Sequence, residues 1–373
     1  MALQFGLMNE IPSYPPYTEH ESLKHIVDTA VLGEELGFDY FWTVEHHFLN
    51  EFSVSTAPES LLPYIAAKTS RMRIGHGVRL LPFAYNNPVR LAESAATLDL
   101  LCDGRLEFGT GRSISWDEMA GFGVNPEETR AQQQEALDII TTAWTQDVAS
   151  YDGQFYKLPP RHVIPKPLQK PHPPLWGAAT SPDSHRIAGE NGLGLLSFTL
   201  LTPLDVLKVS IDLYRSGIAS ARAGQGNPKG AFINERVATF TLVHVAETDE
   251  EAMENMRGPA MKYIKESIGI INSVSRQVPY LNPNQDAAKM DIPSYDYLKP
   301  FIDVDLDSLN YEDIEASNMV MAGSPEKIIT RIKEYEAMGV DVFLPMLSQT
   351  NMPHDKVMKS VELFGKHVIP AFR

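Results

Sequence analysis

The sequence predicts an α/β protein of the (β/α)8 class, a TIM barrel of eight parallel strands with a helix after each. Two observations lead there. Short apolar runs alternate with longer segments of helical periodicity from end to end, and the apolar runs number eight. A doubly wound open sheet shows the same alternation. The count, and the lack of a glycine-rich dinucleotide fingerprint after the first strand, favour the barrel. The 373 residues are read as one domain, 1–373, with insertions at about 151–174, after strand four, and about 268–320, after strand seven.

Leu3 to Met8 reads as the first strand. His20 to Leu36 follows with Leu23, Ile26, Val27, Ala30 and Val31 at helical spacing and stops at Gly37. The second strand lies in Phe38 to Phe48, an aromatic and β-branched run that ends in Glu45, His46 and His47. Glu59 to Lys68 is the second helix, Met72 to Leu81 the third strand, and Pro88 to Leu101 a helix with proline at its start and Asp103-Gly104 after its end. Arg105 to Arg112 is strand four and Glu127 to Thr145 its helix. Tyr151 to Pro174 carries seven prolines and reads as a β-containing surface excursion. The alternation resumes with Leu175 to Ala179, Pro182 to Glu190, Gly194 to Phe198, Leu204 to Arg222, Arg236 to Val245 and Asp249 to Ser267. After the stretch from Ile268 to Val320, it closes with Pro325 to Met338, Val340 to Leu347 and Asp355 to His367.

The formal charge of −16 argues against a nucleic-acid or anionic-membrane surface, and basic and aromatic residues are not clustered. Cys102 is the only cysteine, so no internal disulfide or cysteine-rich metal site can form. No signal peptide is expected at the N-terminus, and no apolar run reaches the ~20 residues of a spanning helix. The expectation is a soluble, cytoplasmic protein.

A buried strand that finishes in three titratable groups needs a reason, because burying them unpartnered costs roughly several kcal/mol. In a barrel all carboxyl ends of strands share one mouth. Glu45-His46-His47 there admits a metal site, although adjacent histidines are poorly placed for one ion, or capping and packing. Gly75 and Gly77 in strand three signal a close approach by a ligand or backbone, or a barrel corner. Gly109 and Gly111 precede Arg112, which suits a phosphate or carboxylate, or pairs with an acid. Thr180, Ser181 and Ser184 surround the start of a helix, where both anion binding and plain capping are at home. Cys102 reads as a packing residue.

The ordered set Glu45-His46-His47-Phe48, Arg73-Ile74-Gly75, Leu80-Leu81-Pro82, Asn87-Pro88-Val89-Arg90, Asp103-Gly104-Arg105, Gly111-Arg112, Thr180-Ser181-Pro182-Asp183-Ser184 and Gly323-Ser324-Pro325-Glu326 resembles the bacterial luciferase-like flavin-dependent monooxygenases along essentially the whole chain. The resemblance implies a barrel that binds reduced FMN supplied by a separate flavin reductase, with O2 adding at the flavin C4a carbon and the peroxide attacking a small or medium organic substrate. By position, His46 is the catalytic proton handler. Glu45 stands beside the flavin or orients His46. Gly77, Val78, Gly109, Gly111, Arg112, Thr180, Ser181 and Ser184 hold the cofactor, with Gly77-Val78 where such barrels place a non-proline cis peptide. His47, Tyr280 and Tyr295 face the substrate, the tyrosines as part of a lid within 268–320 or as plain surface loop. Bacterial luciferase has a reactive cysteine where this chain has Gly111, so thiol sensitivity is not expected. A homodimer is implied. No metal, nucleic-acid or membrane partner is expected. The rival readings are an F420- or flavin-dependent hydride-transfer oxidoreductase, a non-catalytic flavin-binding partner subunit and a metal-dependent hydrolase on the same barrel.

Overall fold

The structure, a computed structural model, describes residues 2–198, 202–273, 277, 280 and 304–373. Eight parallel strands close the barrel: β1 Gln4–Asn9, β2 Tyr40–Thr43, β3 Arg73–His76, β5 Leu106–Gly111, β8 Leu175–Ala179, β9 Gly194–Phe198, β10 Val237–Val245 and β12 Val342–Met346. Each pairs with the next, and β12 pairs back to β1 through Phe5 opposite Phe343. β1 and β2 are buried almost throughout, because the barrel interior covers one face of each strand and a helix layer the other. That layer includes α1 Glu19–Glu35, α2 Pro58–Ala66, α3 Pro88–Leu101, α5 Thr129–Thr145, α6 Pro182–Glu190, α7 Leu204–Arg222, α8 Asp249–Ile271, α10 Pro325–Ala337 and α11 His354–Leu363. The excursion read at 151–174 opens as an antiparallel hairpin, β6 Ala149–Asp152 with β7 Lys157–Arg161. No described helix is long and apolar enough to cross a membrane.

The structure corrects three details. The third strand is two pieces: β3 stops at His76, and after the cis peptide Gly77–Val78 the short β4 Arg79–Leu80 pairs with Thr110 and Gly111. A short helix, α4 Trp116–Phe122, follows β5. The stretch read as a departure up to Val320 contains α9 Tyr311–Ala316 and runs into a ninth parallel strand, β11 Val320–Gly323, on the carboxyl half of β10. Four residues, Val-Met-Ala-Gly, are too short a run for a sequence pattern to separate from loop.

Packing inside the barrel explains one strand-three glycine. The Trp42 indole lies over Gly75, where a Cβ would come within 2.3 Å of the ring. Below it the amino end of the barrel is tied by polar groups. Arg236 donates to Tyr40 Oη and Gln4 Oε1, and Arg73 donates to Glu107 Oε1. Trp176 Nε1 donates to Glu107 Oε2 at 2.6 Å. The network joins β1, β2, β3, β5, β8 and the residue before β10. Burial pushes the Glu107 carboxyl up, against the pull of Arg73, Trp176 and Arg236.

Removing one partner of a buried, hydrogen-bonded charge leaves the others without compensation. Glu107→Ala should therefore lower the unfolding free energy by about 3 kcal/mol, read from urea unfolding curves, and Glu107→Gln by less, since its carbonyl oxygen still accepts from Trp176.

Candidate active site at the barrel mouth

The end of β2 sends Glu45, His46 and His47 to three different sets of partners. Glu45, 4% exposed, accepts from the Leu80 amide at 2.8 Å, from Asn86 Nδ2 at 2.9 Å and from His47 Nε2 at 3.3 Å, with Arg79 Nε at 3.4 Å. Burial would raise its pKa, but His47, Arg79, the Leu80 amide and Asn86 together hold it below the ordinary value. Glu45 thus braces the break between β3 and β4, and it bonds His47 rather than His46. His47 stacks on Tyr85 and meets the Phe122 ring edge-on at 4.8 Å.

His46 is gripped at both ring nitrogens. Nδ1 lies 2.7 Å from Glu118 Oε1 and Nε2 lies 3.3 Å from Glu10 Oε2. Glu118 is fully buried. Its Oε1 also accepts the His47 amide at 3.0 Å, and its Oε2 accepts the Ser113 hydroxyl. α4 presents it there, with Ser115 accepting the Glu118 amide as N-cap. Glu10, directly after β1, accepts Tyr263 Oη from α8 at 3.3 Å. Burial works against a charge on His46, yet Glu118 and Glu10 outweigh it and hold its pKa well above the usual histidine value. Three segments around this cluster turn through left-handed residues that are not glycine: Ile11 (φ 60°), Phe48 (φ 61°) and Ser113 (φ 69°).

Two chambers meet at His46. The first is lined by Glu45, His46, Gly77, Val78, Gly111, Arg112, Thr180 and Ser184 among others. A Cβ on Gly111 would lie 2.4 Å from Val78 Cγ2, so glycine there is what lets the Val78 side chain pack against β5. Arg112, which donates to Thr129 Oγ1 at 3.2 Å, and Arg130 flank the side where α6 begins. Asp183 turns outward, 54% exposed, and pairs with Arg130 at 3.0 Å and Arg186 at 2.7 Å. Ser181 and Ser184 form a reciprocal cap, and the Ser184 hydroxyl also accepts the Thr180 amide at 3.1 Å. The second chamber shares Val44, His46, Gly77, Ile114 and Thr180 with the first. Its further walls are apolar and aromatic: Met8, Leu49, Phe52, Phe198, Phe240 and Tyr263, with Glu10 among them. Phe52 stacks on Tyr263 and Phe198 packs on Phe240, with centroids 5.3 and 4.7 Å apart.

Not every expected site residue lines a chamber. Gly109 admits the His76 carbonyl oxygen, which would lie 2.0 Å from a Cβ there. Ser181 caps α6, and His47 sits in the aromatic cluster. Tyr280 is 77% exposed, and Tyr295 lies outside the described residues, as does most of the expected lid. Glu10, Glu118, Arg130 and Tyr263 were not foreseen. The spacing Ser115-x-x-Glu118 marks a helix start and could have pointed to Glu118. Among the described residues no group of three His, Cys, Asp or Glu is arranged to hold a metal ion.

Because the folded-state pKa of Glu45 is depressed, its contribution to stability is full above the ordinary carboxylate value of 4.5 and is lost as pH falls through the folded value. Glu45→Ala should cost about 3 kcal/mol at pH 7, with the gap from wild type narrowing in urea unfolding curves recorded below pH 4.5.

The sequence model of the luciferase-like monooxygenase family matches residues 1–342. The oxygenase component of the flavin-dependent trigonelline monooxygenase of Acinetobacter baylyi is 26% identical over 360 residues, 95% of this chain and 91% of that protein. An F420-dependent glucose-6-phosphate dehydrogenase of Kineococcus radiotolerans is 35% identical over 176 residues, 46% of this chain and 51% of that protein. The oxygenating constituent of the 3,6-diketocamphane monooxygenase of Pseudomonas putida, solved in complex with FMN, shares the fold at a TM-score of 0.77 and 20% identity, covering 100% of this chain and 99% of that one. The match over 1–342 of 373 residues makes this chain a member of the luciferase-like monooxygenase family.

Proposed function

We propose that this protein is the oxygenase of a two-component flavin-dependent monooxygenase, taking reduced FMN from a separate reductase and oxygenating a small or medium organic substrate with O2. The observation that carries the reading is the first chamber. It brings the glycines Gly77 and Gly111 together with two guanidinium groups, Arg112 and Arg130, the second of them paired with Asp183 at the start of α6. A flat ring with a phosphate on a flexible arm fits that combination, so the residues present suit FMN. Arg112, Arg130, Thr180 and Ser184 would hold the phosphate, and Gly77, Val78 and Gly111 would border the ring. When bound, reduced FMN supplies the electrons with which O2 is activated.

The chain's own residues provide the rest. The apolar second chamber holds the substrate and excludes water from the reaction. His46, common to both chambers, holds a proton where they meet. Glu45 keeps the β3–β4 break, and with it Gly77 and Val78, in place. The trigonelline relative, named an oxygenase component, supports the two-component arrangement. The acidic charge suits a cytoplasmic protein, and the homodimer rests on family resemblance. The rival, hydride transfer with F420, rests on a relative that matches less than half of the chain.

Losing one charge-assisted contact costs about 1.5–3 kcal/mol, or roughly 10–100-fold in affinity. Arg112→Ala should weaken FMN binding by that factor while leaving riboflavin, which lacks the phosphate, bound as in wild type. Flavin fluorescence titrations read both. An equal loss for the two flavins would remove Arg112 from the phosphate site, and tighter binding of F420 than of FMN would overturn the cofactor assignment.

A further inference from the structure

The two-sided grip on His46 determines which way it can move a proton. A single carboxylate at Nδ1 would orient a neutral imidazole and leave Nε2 with a lone pair, ready to act as a base. Here Nε2 also faces a carboxylate, Glu10 Oε2 at 3.3 Å, while Nδ1 faces Glu118 Oε1 at 2.7 Å. Glu118 accepts further hydrogen bonds from the His47 amide and the Ser113 hydroxyl, and Glu10 accepts one from Tyr263. The Glu118 contact is a hydrogen bond, whereas Glu10 Oε2 is buried without a hydrogen-bond partner and meets Nε2 at ion-pair distance. A buried carboxylate oxygen that faces a ring nitrogen in this way is balanced in charge only when the ring is imidazolium. The other charged neighbours do not compete, since Glu45 and His47 bond each other.

We infer that Glu10 and Glu118 are paired positioning residues that keep His46 as an imidazolium where the two chambers meet, so that His46 serves the reaction as a proton donor to an oxyanion in the apolar chamber and not as a base. This rests on the monooxygenase reading for the identity of the oxyanion, though not for the protonation of His46. In the step itself the Nε2–H bond breaks and its electron pair stays on the nitrogen. The proton passes to the substrate-side oxygen, and the neutral ring keeps its Nδ1–H on Glu118. The His46 side chain is 22% exposed, which lets solvent return the proton. Glu10 is the residue that separates this arrangement from an ordinary carboxylate-oriented histidine. It lines the apolar chamber beside Tyr263, so the charge on His46 is set from the substrate side. The raised pKa of His46, produced by the two carboxylates against the effect of burial, agrees with the geometry.

The test is a titration of the flavin-free protein labelled with 15N-histidine, the His46 signals being assigned by their absence in His46→Gln. Wild type should show both His46 nitrogens protonated at pH 7.5. Glu10→Gln should lower the midpoint by about one pH unit or more, a tenfold change in proton affinity, and Tyr263→Phe should lower it by less. The alkaline limb of the kcat profile should move with the midpoint in Glu10→Gln, a change that mere loosening of the fold does not produce. A neutral His46 at pH 7.5 in wild type, which needs no variant to fold, overturns the inference, as does an unmoved midpoint in folded Glu10→Gln. FMN binding by the same samples is scored separately: absence of binding with the titration as expected overturns the flavin reading and leaves the carboxylate grip standing.

Discussion

The mouth of this barrel is organised by one electrostatic constraint: the end of β2 delivers a buried carboxylate and two partly buried imidazoles at consecutive positions. Each group needs a partner, because an isolated buried charge costs roughly several kcal/mol. The polar residues of β2 itself, Tyr40 and Thr43, are bonded to Gln4, Arg236, Asn9 and Ser55, so the partners come from other segments. Glu45 takes the Leu80 amide, Asn86 and Arg79 from beyond the third strand. His46 takes Glu10 from beyond β1 and Glu118 from beyond β5. The three loops nearest β2 are thereby fixed relative to one another before any ligand enters.

The loops are fixed at a conformational cost. Ile11, Phe48 and Ser113 adopt positive φ next to the residues they position, and for a β-branched or aromatic residue this costs on the order of 1–3 kcal/mol. Such backbone persists only where the surroundings over-determine it, and here the hydrogen bonds to Glu118 and Glu10 do so. The other end of the barrel has the opposite character. There Gln4, Tyr40, Arg73, Glu107, Trp176 and Arg236 form a dense polar tie across six positions around the ring. Strain is kept at the mouth and cohesion at the base, as expected when the site is built from loops and the scaffold from strands.

The helices were legible because they bury one face, which leaves a period in the sequence, and the strands because the barrel covers both their faces, which leaves short apolar runs such as Tyr40–Thr43 and Leu175–Ala179. The four-residue β11 and the seven-residue α4 were not, since neither is long enough to show a period. At the site, residues that lie on strand ends were found: His46, Gly77, Gly111 and Arg112 all border the first chamber. Gly109 is a strand-end glycine of another kind, excluded from a side chain by the His76 carbonyl of the neighbouring strand, and sequence does not separate the two kinds. Glu10 and Glu118 were missed because their meaning is a distance. They stand 36 and 72 positions from His46, and nothing local marks a glutamate that will be folded against an imidazole.

Those two glutamates change what the His46 position can mean. A histidine at the end of a barrel strand is, from sequence, a group that titrates near neutrality and can give or take a proton. Carboxylates at both nitrogens remove the choice, since each charge stabilises the protonated ring in an environment of low dielectric constant. The two chambers sharpen the effect by dividing the labour around one side chain. The guanidinium groups of Arg112 and Arg130 lie on the first chamber, where they would hold the anionic arm of the proposed flavin, while the second presents apolar surface and the Glu10 carboxylate. On the proposed reading, a negative charge that develops on a substrate in the second chamber would meet His46 as the cation shared by both, and a proton transfer that neutralises that charge would be favoured by the same burial that otherwise opposes it.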